Sequence, residues 1–182
     1  MLARLGDFPG PPTPNETVIG LIQRFGASPT FGTRVPAALF DAVQRVADAW
    51  QPRLDEIGRH SSLVHGDFNS RNIFVARAES GQWRVSAILD WEFALDASPY
   101  VDIGNFLRYE RADRSRYEPH FSRGLRDGGM QLADDWLTLA RLLDLPALCE
   151  LLSRPRVPDL VVAEVGQLVE QTVSELDGRK LP

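Results

Sequence analysis

Three oxygen-bearing side chains are spaced for work on phosphate: Asp67 in the run His65-Gly66-Asp67-Phe68-Asn69-Ser70-Arg71-Asn72, Asn72 at its end, and Asp90 in the cluster Asp90-Trp91-Glu92. A carboxylate such as Asp67 can orient a hydroxyl and take its proton, which contributes about 10²- to 10⁴-fold when the base is well placed. Asn72 offers a neutral carbonyl oxygen and Asp90 an anionic one. Hard donors of this kind suit Mg²⁺, which completes its shell with substrate phosphates and so is held weakly without them. Together they read as half of a phosphotransfer site. A metal-dependent phosphohydrolase could use the same bare oxygen cluster, and would differ in cleaving simple phosphate esters with no need of an acceptor alcohol.

The elements that must position these groups are legible. Ser62-Leu63-Val64 predicts a short strand running into the loop, and Asn72-Ile73-Phe74-Val75 predicts one leaving it. Glu79-Ser80-Gly81-Gln82 supplies turn chemistry, and Trp83 to Leu89 alternates as the partnering strand, so the hairpin brings Asn72 and Asp90 together. Val35, Leu39, Val43, Val46, Trp50 and Leu54 recur at spacings of three and four on one face of a helix that Pro36 can start and Gly58 can end. Further helices are expected from Asp102 to Arg111, around Leu132, Trp136, Leu139, Leu142 and Leu143, and from Pro158 through Leu176. Val18 to Ile22 suggests one or two helical turns, and the stretch up to Phe121 reads as mixed helix and loop. The apolar stripes are core, not cofactor boxes.

The blocks HGDFNSRN, ILDWEFA and SPYVDIGNFL, in this order, closely resemble the aminoglycoside phosphotransferase and choline kinase family over roughly residues 36 to 112. The relative positions of Asp67, Asn72 and Asp90 also match the catalytic loop and metal motif of protein kinases, but Gly66 stands where those enzymes place an Arg, which points away from them. The resemblance implies ATP as co-substrate, Mg²⁺ held by Asn72 and Asp90, Asp67 as the catalytic base, and a small-molecule hydroxyl as acceptor. It implies that Glu92 can assist a second metal; in an extended segment its side chain would point the same way as that of Asp90. The alternative for Glu92 is a solvent-facing carboxylate. His65 is expected to pack beneath the loop, since a carboxylate base leaves an imidazole little to add, and Gly66 to let the chain bend past it. Asp102 resembles a position that braces the loop through backbone amides, although an N-cap role fits equally.

What is missing is informative too. A kinase-like enzyme holds the nucleotide's phosphates with a strand Lys in its N-terminal lobe, yet the only lysine here is Lys180. Gly26 and Gly32 lack the strand-turn-strand context of a phosphate loop and read as ordinary loop glycines. A five-stranded lobe needs upwards of ~60 residues, more than the chain offers before the helix near Pro36. The expectation is therefore an α+β, mainly helical chain: the C-terminal lobe of a protein-kinase-like fold with a small β-hairpin, the N-terminal lobe absent. Residues 1–35 would be an extension or linker and 36–182 the kinase-like lobe. Such a chain would transfer phosphate weakly or not at all alone. The rival reading is a noncatalytic lobe remnant kept as an interaction module, with an uncovered apolar hinge face met by a second copy or a separate chain.

Composition narrows the remaining classes. A net charge of −5 leaves no electrostatic footprint for nucleic acid, and no apolar run is long enough to cross a membrane. The apolar segment of the first residues is too short for a signal peptide, so a cytoplasmic protein is expected. With Cys149 as the only cysteine, an internal disulfide or thiolate metal cluster is excluded. Arginines are too frequent for Arg71 or Arg108 to be singled out as phosphate ligands, and His60 and His120 carry no usable pattern. Asp113, Glu118, Asp134 and Asp135 could line a cationic acceptor's pocket but read more simply as a solvated face. The acceptor itself stays open, with an antibiotic, choline, a sugar or a homoserine-like alcohol all compatible.

Overall fold

The computed structural model describes residues 16–110 and 117–177. They fall into two compact units: a mixed unit across His60–Trp136 and a helical unit drawn from the flanking segments, 16–59 and 137–177 among the described residues. The expected helix end at Arg111, together with Asp113 and Lys180, lies outside the described residues.

In the helical unit, α1 (Val18–Gly26) starts at Thr17, whose hydroxyl accepts the Gly20 amide, a typical N-cap bond. A proline opens α2 (Pro29–Arg34), where its missing N–H costs nothing. Residues 16–35, expected as an extension, thus form two helices that bury Ile22 and Phe31. Gly26 is no ordinary loop glycine: a methyl group there would strike the ring of Phe40 on α3 (Ala37–Gly58), so its bareness lets the two helices approach closely. The α3 helix follows Pro36 and buries Val43, Val46, Trp50 and Leu54, the stripe read from sequence. The helix continues past Pro52, a helix-interior proline that forgoes one backbone hydrogen bond.

The end of the chain contributes α6 (Trp136–Ser153) and α7 (Asp159–Leu176) to this unit. Leu139, Leu142, Leu145, Leu148 and Leu152 of α6 are all buried, as are Val165, Leu168, Val169 and Val173 of α7. Each such side chain taken from water contributes about 1.5–3 kcal/mol. The Arg34 guanidinium closes the C-terminus of α6, donating to the carbonyls of Leu152 at 2.9 Å and Arg154 at 2.7 Å.

The mixed unit holds two small antiparallel sheets. In one, β2 (Ile73–Arg77) pairs with β3 (Trp83–Ile88) from Ile73↔Ile88 to Arg77↔Trp83, with a bulge between Phe74 and Val75. Gly81, at φ 80°, shapes the connecting turn as its sequence suggests. In the other, β1 (Ser62–Val64) pairs with β4 (Leu95–Ala97), a strand the sequence reading did not expect. Next come α4 (Tyr100–Leu107) and α5 (Tyr117–Asp127). Phe68, Phe106 and Phe121 gather into an aromatic cluster, the last two stacked at 4.4 Å, which fastens the loop after β1 to both helices.

Candidate active site

The loop after β1 is held from below by Asp102, a 2 % exposed residue in the first turn of α4. Its Oδ2 accepts the His65 amide at 2.7 Å and its Oδ1 the Gly66 amide at 3.0 Å. The N-cap of α4 is Pro99, so the Asp102 carboxylate is spent on the loop and not on its own helix. Burial pushes this carboxyl up from its ordinary value, while the two amide bonds pull it back in part.

His65 is fully buried, its ring against Trp91 at 4.7 Å. Its Nδ1 lies 3.3 Å from the Asp67 amide and its Nε2 2.7 Å from the Leu89 carbonyl oxygen. An amide only donates and a carbonyl only accepts, so the ring carries its proton on Nε2. Gly66 sits at φ 78°, and a Cβ there would run into the Phe93 carbonyl. Only glycine fits both demands.

Asp67 emerges half-buried from this scaffold. Its Oδ1 accepts from Asn69 Nδ2 at 3.1 Å and its Oδ2 from Asn72 Nδ2 at 3.4 Å; Asn72 Nδ2 also reaches the Asp67 carbonyl at 2.9 Å. Asn72 closes the 3₁₀ turn Ser70–Asn72, which Asn69 caps by accepting the Arg71 amide. With its nitrogen turned toward Asp67, Asn72 keeps Oδ1 as an available oxygen donor. Asn69 is a site residue the sequence reading passed over, and its signal was the Asn-Ser pair, which favours a local side-chain turn.

Asp90 reaches the same place from the other strand. The Leu89 amide donates to the Asn72 carbonyl at 2.9 Å, directly beyond the Ile73↔Ile88 pair. Asp90 then takes φ 67° and ψ 54°, the only positive φ at a non-glycine among the described residues. Aspartate tolerates this left-handed turn better than most residues, and such conformations cluster where function demands them. The exposed Glu92 follows in the 3₁₀ turn Trp91–Phe93. Residues 90–93 are therefore not extended, and strand alternation gives no reason for Glu92 to share a direction with Asp90.

Among the described residues, no group of three or more His, Cys, Asp or Glu side chains could hold a metal ion. The donor set on offer is one amide oxygen and one carboxylate, which fits Mg²⁺ completed by phosphates and water and fits poorly a tightly held resident metal. Among the other acidic candidates, Glu118 donates its amide to Glu110 Oε1, and Asp134 is exposed.

Residues 3–142 match the model of the phosphotransferase enzyme family. The chain belongs to that family, the one of aminoglycoside phosphotransferases and choline kinases that the motifs resemble. Its fold is similar to the crystal structure of choline kinase LicA from Streptococcus pneumoniae, with a TM-score of 0.67 at 12 % identity. That likeness covers 96 % of this chain and 60 % of the other. None of the curated proteins matches. No helix among the described residues is long and apolar enough to cross a membrane.

Proposed function

We propose that this chain carries the catalytic and metal-binding half of a small-molecule kinase, one that moves the γ-phosphoryl group of ATP to an acceptor hydroxyl. The observation that carries the reading is the contact of Asn72 Nδ2 with Asp67, joined through the Asn72 carbonyl to the Leu89 amide beside Asp90. The base and Asn72 are in contact, and the backbone bond sets Asp90 next to Asn72 in the hairpin, which supports the reading.

Asp67 would align the acceptor hydroxyl and take its proton as the oxygen attacks phosphorus. Asn69 and Asn72, both donating to the Asp67 carboxylate, hold it in one orientation, the kind of positioning that dominates catalysis of phosphoryl transfer. Asn72 Oδ1 and the Asp90 carboxylate would hold Mg²⁺, which neutralises phosphate charge when bound. His65 and Asp102 touch no substrate in this scheme; they fix where Asp67 and Asp90 stand.

The nucleotide needs a cover as well as a floor. Phe74, Val75, Trp83 and Val85 of the hairpin and Leu89 and Phe93 beyond it are exposed apolar residues, with Val75 and Val85 paired across the strands, and apolar surface of this kind marks interaction sites where it is continuous. They suit a second polypeptide, a second copy, or a lobe joined to this one. Transfer by the 182-residue chain alone is accordingly weak or undetectable, and the setting proposed is the cytoplasm. The same exposed strip favours the second reading, a noncatalytic interaction module.

The test is a titration of Mg²⁺ and ATP into the chain, then a transfer assay with radiolabelled ATP over a panel of amino alcohols, sugars and aminoglycosides. Metal-dependent labelling of one acceptor, lost in Asp67→Asn, supports the kinase. Hydrolysis of p-nitrophenyl phosphate without any acceptor points to a phosphohydrolase. No Mg²⁺-dependent nucleotide binding, even with a covering lobe supplied, leaves the interaction module.

A further inference from the structure

One cavity of the mixed unit lies away from the Asp67 loop. It measures about 210 Å³ and lies between Leu63 and Val64 of β1, Pro99 and Ile103 of α4, Leu125 of α5, and Met130. None of Asp67, Asn72 and Asp90 borders it. Val64, Ile103 and Leu125 are buried, whereas His60 and Ser61, which also border it, are exposed, so the space is apolar within and polar where it meets water.

Size and lining together define an occupant. An apolar cavity of about 150 Å³ is enough to take up benzene, and water gains little in a space that offers it few partners. The cavity here has room for one ring and a short substituent, and its lining includes His60, Ser61 and Ser62, residue types that carry hydrogen-bonding groups. Asp102 also borders it. That carboxylate already accepts two amides and is almost wholly out of water, so an anion would meet repulsion and a cation would have to shed its hydration with little carboxylate surface in reach.

We propose that this cavity is a second binding site of the chain, for a neutral one-ring amphiphile such as an aryl alcohol, and that its occupancy is felt by the catalytic loop. The coupling runs through two residues. Val64 directly precedes His65 in the chain, and Asp102 holds the His65 and Gly66 amides, immediately before Asp67. A ligand that packs on Val64, Ile103 and the backbone around Asp102 stiffens the brace and suppresses opening of those two amide bonds. The inference goes beyond the kinase reading and does not depend on it, because it involves no nucleotide and no transfer.

The experiment uses the full chain without nucleotide and benzyl alcohol as the probe, with benzoate and benzylammonium as charged counterparts. At benzyl alcohol concentrations about tenfold above its dissociation constant, Tm should rise by roughly 3–5 °C. Hydrogen exchange at the His65 and Gly66 amides should slow by about tenfold in the same samples. Leu63→Phe and Met130→Phe each place a ring in the cavity; either that folds should keep its Tm and lose the response to benzyl alcohol. The proposal is overturned by an absent shift in the unaltered protein, by an equal shift in the filled variants, or by protection that spares His65 and Gly66. Tighter binding of either charged probe overturns the neutral ligand class.

Discussion

The His65 ring and the Leu89 backbone are joined by a 2.7 Å hydrogen bond from Nε2 to the carbonyl oxygen. Because Nδ1 of the same ring accepts the Asp67 amide, one buried side chain sets the distance between the loop that carries the base and the strand end that carries Asp90. Neither bond survives the loss of the imidazole.

His65→Leu should therefore destabilise the protein by about 1–3 kcal/mol, since it takes the partner from the part-buried Asp67 amide and Leu89 carbonyl while nearly conserving volume. Urea unfolding followed by tryptophan fluorescence measures this. A loss below about 0.5 kcal/mol would mean the ring is not the link described.

Asp102 makes a pH prediction whose sign follows from burial. Because desolvation raises its carboxyl above 3.8 in the folded protein, the native state holds that proton more tightly than the unfolded chain does. Its contribution to stability thus falls as pH rises from about 3.8 through the raised value, and returns on acidification. Asp102→Asn removes this titration. Measured by urea unfolding at steps from pH 7 down to about 3.8, the stability of the unaltered protein relative to the variant should improve toward acid, and a difference that is flat or opposite in slope throughout would count against the buried carboxylate.

Gly66→Ala combines a left-handed backbone with a clash against the Phe93 carbonyl, and should cost about 1–3 kcal/mol. Gly81→Ala is the control: its φ is also positive but its surroundings are open, so it should carry only the left-handed backbone strain of about 1–2 kcal/mol and lose less than Gly66→Ala. Equal losses at both positions would show that the Phe93 contact contributes nothing.

Asp90→Asn should separate function from folding. Asparagine adopts the left-handed conformation as readily as aspartate, and the Asp90 side chain makes no capping hydrogen bond, so stability should stay within about 0.5 kcal/mol. Mg²⁺-dependent nucleotide binding should fall at least tenfold by calorimetry. Unchanged metal dependence would remove Asp90 from the donor set.

The exposed hairpin offers a test of association. Trp83 is 66 % exposed and Val75 57 % exposed; the pair Trp83→Glu with Val75→Glu should abolish any self-association or capture of a covering lobe while leaving the mixed unit folded. Light scattering after gel filtration reads the first and circular dichroism the second. Persistent oligomers in the double variant would place the contact elsewhere.

Much of the fold was legible because its signals are local. The alternation from Trp83 to Leu89 and the Gly81 turn needed no partner to be recognised, and the stripe from Val43 to Leu54 reports a helix whatever it packs on. The strand Leu95–Ala97 was not legible: three residues with an aspartate in the middle carry no period, and only pairing with Ser62–Val64 makes them a strand. Asp102 was ambiguous for a similar reason, since an acidic residue early in a helix satisfies the same rule whether it caps that helix or reaches amides far along the chain. Glu92 stayed open between two readings because its direction depended on whether the strand continues past Asp90, and a left-handed residue ends it there.

Arg34 finds its carbonyl partners at Leu152 and Arg154, more than a hundred residues later in the chain. A polypeptide emerging from the ribosome meets that demand late: α1 to α3 can pack on one another early, but the segment His60–Trp136 is made before α6 and α7 supply their remaining partners. The bonds of Arg34 to the end of α6 are thus among the last that synthesis makes available to this unit, although Arg34 itself lies well before His60 in the chain.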